Sequence, residues 1–402
     1  MISVGIDVAK GKSTVCILKS YGEIVSKPFD IAHNEKDLSE LASMLLRFNE
    51  EVKVVMEATG IYHLPVLTYL QEKGLFVSVI NPYLMKVYRS GDLRKAKTDK
   101  IDSRIIANYG IDHWFTMPEF QASEDIYGEL KLLGQQYRHY MKLHINSLHE
   151  LTHLLDYTMP GIKGMFASWN EGNRKDKLSD FVESFWHYDK ITCLDEMEFI
   201  NQYINWAKEK KYHQSQAKAK AIYKLAHESI PTLSSETPSV KMLVTEAVRV
   251  LKEVDATLGI ILSRMQELAK GLPEYAVVRE MGGVGEVLAP KLIAEVGDIR
   301  RFHSGKALIA FAGIDTPPYE SGQFAGSNRK ITKRGSAALR KVGYETMRCI
   351  KTHPRPDAPV YQYIVKKELE GKAKKSAKIA GLNKFLRIYY ARVKEVYSDI
   401  SE

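Results

Sequence analysis

Strand periodicity is confined to roughly the first eighty residues of the chain, and that asymmetry decides what the sequence can build. Apolar Ile2, Val4, Ile6 and Val8 alternate with Ser3, Gly5 and Asp7, the period of a strand that sends Asp7 to its opposite face. Ser13 to Lys19 and Glu23 to Phe29, separated by Tyr21-Gly22, read as two further strands in hairpins. Asn34 can cap a helix reaching Leu46, because Leu38, Leu41, Leu45 and Leu46 recur at helical spacing. A fourth strand, Val52 to Met56, ends at Glu57, and a helix from Tyr62 to Lys73 follows. A strand from Leu75 to Ile80 is stopped by Asn81-Pro82, and a basic stretch then leads into a helix from Thr98 to Asn108. The order βββαβαβα predicts an α/β layer in which the first and fourth strands are neighbours.

Beyond residue 126 the strand pattern gives way to long amphipathic helices, broken near Pro160-Gly161 and near Pro231. A stripe of Leu243, Val244, Ala247, Val248, Leu251, Val254, Leu258, Ile261 and Leu262 reads as core or as a dimer seam. From Leu272 the composition changes again. Gly282-Gly283-Val284-Gly285 joins a short helix to an apolar one from Val287 to Val296. Helices joined by a glycine turn can present backbone N–H groups to phosphates, so Gly283 and Gly285 are candidate nucleic-acid contacts. The expected organisation is α/β plus α: an α/β domain over 1–125, a helical or coiled-coil region over 126–270 that oligomerises, and a mostly helical domain over 271–402 with a helix-hairpin-helix-like element.

Charge narrows the class of partner. Lys and Arg number 58 against 49 Asp and Glu, a net charge of +9 that favours a polyanion. With 45% apolar residues the chain is globular rather than disordered. Cys16, Cys193 and Cys349 are too scattered for a disulfide framework or a cysteine zinc site, which fits a reducing compartment. Without a leader-like start or a membrane-length apolar run, a cytoplasmic protein with no membrane partner is expected.

The basic residues are clustered. Lys86 to Arg104 holds seven of them against three acids, making Lys95, Lys97, Lys100 and Arg104 candidate nucleic-acid contacts. Ser321 to Lys351 holds eight against the single acid Glu345, which adds Arg329, Lys330, Lys333, Arg334 and Arg340. Four acids accompany the first cluster: Asp7 in the first strand, Glu57 at the end of the fourth, and Asp99 and Asp102 three apart on one helix face. If the first and fourth strands are neighbours, all four converge at one end of the layer. Such a group repels itself unless cations neutralise it, and all-oxygen ligands select Mg²⁺ or Mn²⁺. Two such ions can serve phosphoryl transfer, with the basic stretch drawing phosphates toward the acids. The rival motif His149-Glu150-Leu151-Thr152-His153 has zinc-protease spacing but no evident third ligand.

Four segments in order resemble the N-terminal motifs of the DEDD transposases, serine recombinases of the insertion sequence 110 family: Gly5-Ile6-Asp7-Val8-Ala9-Lys10, Met56-Glu57-Ala58-Thr59-Gly60-Ile61-Tyr62, Val79-Ile80-Asn81-Pro82 and Ala96-Lys97-Thr98-Asp99-Lys100-Ile101-Asp102. Met281-Gly282-Gly283-Val284-Gly285, Ile299-Arg300-Arg301-Phe302, Phe311-Ala312-Gly313-Ile314, Ser321-Gly322, Ile331-Thr332-Lys333-Arg334-Gly335 and Leu339-Arg340 resemble the family's second domain. The resemblance covers about 1–155 and 235–395, and the stretch from Lys163 to His213 departs from it. It implies an N-terminal RuvC-like, ribonuclease H-like domain whose Mg²⁺-binding tetrad is Asp7, Glu57, Asp99 and Asp102. It further implies Ser321 as the nucleophile of a transient phosphoserine link to DNA, a structured noncoding bridge RNA as guide, and a homodimer or homotetramer. The alternative is a RuvC-like nuclease or junction resolvase that hydrolyses DNA with metal-activated water and leaves no protein-linked product.

Overall fold

The computed structural model describes residues 1–89, 98–120, 125–166, 176–317, 320–321, 324–325 and 330–401, without the side chains of Asp125, Glu320, Ser321, Phe324, Ala325 and Ser401. The chain divides into two compact units, Met1–Ala122 and Ser123–Glu402.

The first unit is built on strands β1 (Ile2–Val8), β2 (Lys12–Lys19) and β3 (Ile24–Ala32), helix α1 (Glu35–Leu46), β4 (Val52–Glu57), α2 (Leu64–Glu72), β5 (Phe76–Ile80), α3 (Pro82–Arg89) and α4 (Asp99–Asp112). Its five strands lie in the order β3-β2-β1-β4-β5. The hairpin strands β1, β2 and β3 are antiparallel, whereas β4 runs parallel to β1, and β5 to β4. The expected adjacency of the first and fourth strands is therefore observed, within a mixed sheet.

Side-chain parity divides the two faces of the sheet. Ile2, Val4 and Ile6 bury against Leu38, Leu41 and Leu45 of α1 and Val66, Leu67 and Leu70 of α2. On the other face Val55 and Ile80 pack with Ile106 and Tyr109 of α4. Asp7 shares parity with Gly5, and Glu57 with Val55, so both belong to the α4 face.

Helix α3 was not expected from the sequence, where Asn81-Pro82 reads only as a strand stop. The same pair starts a helix: the Asn81 carboxamide oxygen accepts from the Tyr83 backbone N–H at 2.8 Å, and proline tolerates the first helical turn.

The second unit is helical apart from one short hairpin among the described residues. Its elements are α5 (Asp125–Thr158), α6 (Lys177–Ser184), α7 (Asp189–Thr192), α8 (Glu196–Glu209), α9 (Gln216–Glu228), α10 (Pro238–Lys270), α11 (Tyr275–Glu280), α12 (Leu288–Val296), α13 (Gly305–Ala312), β6 (Glu320–Ser321), β7 (Phe324–Ala325), α14 (Ala337–Thr352), α15 (Pro359–Leu369) and α16 (Lys374–Ser401). Helices α5 and α10 run antiparallel, as the pairs Glu129–Arg264 and His144–Asp255 show. One half of this pair joins α11 to α16 around Leu258, Leu262, Leu292 and Phe385. The other half joins α6 to α9 around Leu151, Val248, Phe181 and Tyr203. The divergent stretch near 163–213 thus contributes a core of its own. Most of the apolar stripe of α10 is consumed within the chain, while Leu243 is exposed.

Candidate active site

The geometry of the acidic site follows from how closely α4 lies on the sheet. Gly5 makes this approach possible: a Cβ there would stand 2.2 Å from the Ser103 carbonyl oxygen and 2.3 Å from the Ala107 nitrogen, well inside contact distance. Thr98 caps α4, its hydroxyl accepting from the Ile101 N–H at 3.3 Å, so Asp99 and Asp102 occupy the first turn. The positive end of a helix favours carboxylates there. Asp102 is 5% exposed, Asp7 and Glu57 are half-buried, and Asp99 is exposed.

Asp7 feels the charge of each of the other three acids. The Asp7 carboxyl is pushed up from 3.8 to about 6, first by burial and then by the charges of Asp102 and Asp99, with a smaller push from Glu57; Arg89 pulls the other way. Arg89, the last residue of α3, places Nη1 3.3 Å from Asp102 Oδ2 and Nη2 3.7 Å from Glu57 Oε2. In the sequence Arg89 is one of the seven basic residues of Lys86 to Arg104, with nothing local to set it apart. Its place in the site becomes visible once Asn81-Pro82 is read as a helix start.

The chemistry of this donor set suits a hard divalent cation, because every candidate ligand atom is a carboxylate oxygen. In the described arrangement, however, no three Asp, Glu, His or Cys side chains stand close enough to hold one ion together. A guanidinium occupies the compensating position instead.

In the second unit, β6 pairs with β7 as an antiparallel hairpin, Ser321 opposite Phe324. Ser321 is thus placed by its backbone on a strand edge just ahead of the basic segment that leads into α14.

Two family models match the chain. One, described as "Transposase" of the DEDD type of IS110, spans residues 4–160, and the other, "Transposase IS116/IS110/IS902 family", spans 275–362. The chain belongs to the IS110 family of transposases, enzymes that cut and rejoin DNA. The "Pilin gene-inverting protein" of Moraxella lacunata is 23% identical to this transposase over 98% of this chain and 95% of its own. The "Transposase for insertion sequence element IS1111A" of Coxiella burnetii is 28% identical over 41% of this chain and 46% of its own. Among solved structures, the "Thermus thermophilus RuvC structure" aligns with 30% of this chain and 100% of its own at 15% identity and a TM-score of 0.24.

The transposase places its expected nucleic-acid contacts unevenly. Lys100 and Arg104 are exposed one turn apart on α4, on the side away from the buried Asp102 and Ser103. Lys330, Lys333 and Arg334 are exposed on the approach to α14. Lys95, Lys97 and Arg329 lie outside the described residues. Arg340 differs from expectation: its Nη1 donates to the carbonyl oxygens of Ala312 at 2.9 Å and Gly335 at 3.0 Å, a brace between α13 and the loop before α14. Gly283 differs too. It has φ +78°, and a Cβ there would meet Ile350 Cγ1 at 2.5 Å, so this glycine seats the turn closely on α14. Gly285 has open space around it.

The same turn forms one wall of a groove of about 900 Å³, whose other lining includes Arg279, Arg348, His353 and Arg355. Glu286 and Glu345 also line it, and Glu286 lies 3.7 Å from Arg279. Arg348 and Arg355 are exposed, and neither side chain forms an ion pair or hydrogen bond among the described residues. The zinc-protease spacing on α5 is absorbed by the helix: Leu151 is fully buried, His149 and His153 are exposed, and His153 Nε2 shares a hydrogen bond with the Tyr157 hydroxyl at 3.2 Å. Of the tyrosines near the acidic site, Tyr88 hydrogen-bonds Asp112 at 2.5 Å and packs edge-on to Tyr109, whereas Tyr62 and Tyr83 are exposed. Among the described residues no helix is long and apolar enough to cross a membrane.

Proposed function

We propose that this chain carries out DNA strand exchange for a mobile element through a metal-dependent tetrad, Asp7, Glu57, Asp99 and Asp102, and a nucleophilic serine, Ser321. The reading rests on the placement of Asp7 at the end of β1 beside the first turn of α4, where burial and the charges of Asp102, Asp99 and Glu57 push its carboxyl up to about 6. Mg²⁺, or Mn²⁺, held by these carboxylates would supply Lewis-acid stabilisation of charge on the scissile phosphate.

The chain's own residues carry the rest. Ser321 Oγ forms a bond to phosphorus as the bond from phosphorus to the leaving sugar oxygen breaks; the serine proton is released and the leaving oxygen takes one up. Reversal with a new sugar hydroxyl rejoins the strand, so no bond energy is lost to hydrolysis. A hydroxyl is a weak nucleophile alone, and the exposed cations Lys330, Lys333 and Arg334 that follow the hairpin offset charge on the phosphoryl transition state. Lys95, Lys97, Lys100, Arg104 and Arg329 draw the phosphodiester backbone in. The groove beside Gly285, with Arg348 and Arg355 facing solvent, holds a further stretch of backbone.

Sequence choice is delegated to a structured noncoding RNA that pairs with target and donor DNA, which fits a chain whose clustered cations read phosphate and not bases. The active assembly is a homodimer or homotetramer; exposed Met242, Leu243, Val250 and Ile260 on α10 are apolar surface available for it. The test is Mg²⁺-dependent recombination of element-end DNA with the copurifying RNA. Asp102→Asn and Ser321→Ala each remove exchange, while retained exchange in Asp102→Asn overturns the tetrad. Cleavage retained by Ser321→Ala, with free DNA ends, instead identifies the water-activating nuclease.

A further inference from the structure

Arg89 is held in the acidic site by charge more than by hydrogen-bond geometry. Its contacts to Asp102 at 3.3 Å and Glu57 at 3.7 Å exceed the 2.7–2.9 Å usual for a strong guanidinium–carboxylate pair. Its Nε is buried without a hydrogen-bond partner among the described residues. An arginine kept purely as a structural brace has its donors satisfied, as Arg340 does at two carbonyls. Arg89 instead spans two acids that come from different elements, β4 and α4, and closes the helix that leads into the basic stretch.

We propose that Arg89 is the resident counter-cation of the metal-free site, holding Glu57 and Asp102 together until a divalent ion displaces it. This rests on the tetrad being the metal site. A hard cation takes carboxylate lone pairs directly, and these are the lone pairs that the Arg89 guanidinium now faces, so the two cations compete for the same oxygens. Arg89 is therefore a positioning residue: it keeps carboxylates from separate elements at one place at the cost of weaker metal binding.

The test uses the full chain and no activity assay. Mn²⁺ binding is measured by titration calorimetry for the unsubstituted protein, Arg89→Ala, Arg89→Lys and Asp102→Asn, and melting is followed in EDTA and in Mn²⁺. Loss of the competitor should tighten Mn²⁺ binding roughly tenfold in Arg89→Ala, within the range typical of coupled sites. Arg89→Lys, which keeps the charge but not the bridging fork, should fall between. Arg89→Ala should melt lower in EDTA and gain more from Mn²⁺ than the unsubstituted protein does. Equal or weaker Mn²⁺ binding in both Arg89 variants, with binding lost in Asp102→Asn, overturns this role and leaves the metal site standing. Absence of Mn²⁺ binding in every protein removes the metal site and this role together.

Discussion

Gly5 and Ser103 meet backbone to backbone: a Cβ on the glycine would lie 2.2 Å from the serine carbonyl oxygen, so α4 rests directly on β1. That contact sets the depth at which Asp102 faces Asp7. Gly5→Ala must push α4 outward, and overpacking of this kind costs about 1–3 kcal/mol. The expected result is a lower denaturation midpoint for the first unit together with at least a tenfold loss of recombination, read by urea titration and strand-exchange assay.

The Asp7 carboxyl gives a pH signature. In the unfolded chain it ionises near 3.8, and in the fold near 6, so between these values the folded state binds more protons. Metal-free stability contributed by protonated Asp7 is complete below the lower value and is lost as pH rises through the upper one. Melting in EDTA should therefore fall across this window. Asp7→Asn, which has no proton to lose, should remove that fall.

His144 and Asp255 join the two long helices where the two cores of the second unit meet, with Nδ1 2.6 Å from Oδ1 and both side chains buried. Leaving the buried imidazole without its hydrogen-bond partner costs about 1–3 kcal/mol. Asp255→Ala should lower the unfolding free energy of the second unit by an amount in that range, whereas Glu253→Ala, on the exposed side of the same helix, should change it by less than about 1 kcal/mol.

Removal of the unpaired groove arginines should weaken nucleic-acid binding without sequence preference. Each phosphate contact contributes about 0.9 to the slope of log K against log salt. Arg348→Ala with Arg355→Ala should flatten that slope by nearly 2, measured on duplex DNA and separately on the copurifying RNA. An unchanged slope on both would take the groove off the binding path.

The adjacency of β1 and β4 and the face on which each acid lies were legible in the sequence because both follow from period: alternation in Ile2–Val8 fixes the face of Asp7, and a three-residue spacing puts Asp99 and Asp102 on one side of α4. The Asn34 cap was legible for a similar local reason, a side chain bonding its own helix. What periodicity could not supply was anything set by contact between distant segments. Arg89 enters the acid cluster only because α3 exists and ends there. Arg340 is a brace only because Ala312 and Gly335 lie beside it, and Gly283 is a packing residue only because α14 crosses it. Lone charged residues in a basic run look alike in sequence, and tertiary contacts sort them into braces and binders.

The central claim is that Ser321 becomes covalently linked to DNA with the help of the acidic tetrad. The most direct measurement is protease digestion and mass spectrometry of the protein after a Mg²⁺-dependent reaction quenched in denaturant. One nucleotide-bearing peptide is expected, modified at Ser321 and absent in EDTA and in Asp7→Asn. Cleaved DNA without any nucleotide-bearing peptide, or the link on another residue, would contradict it.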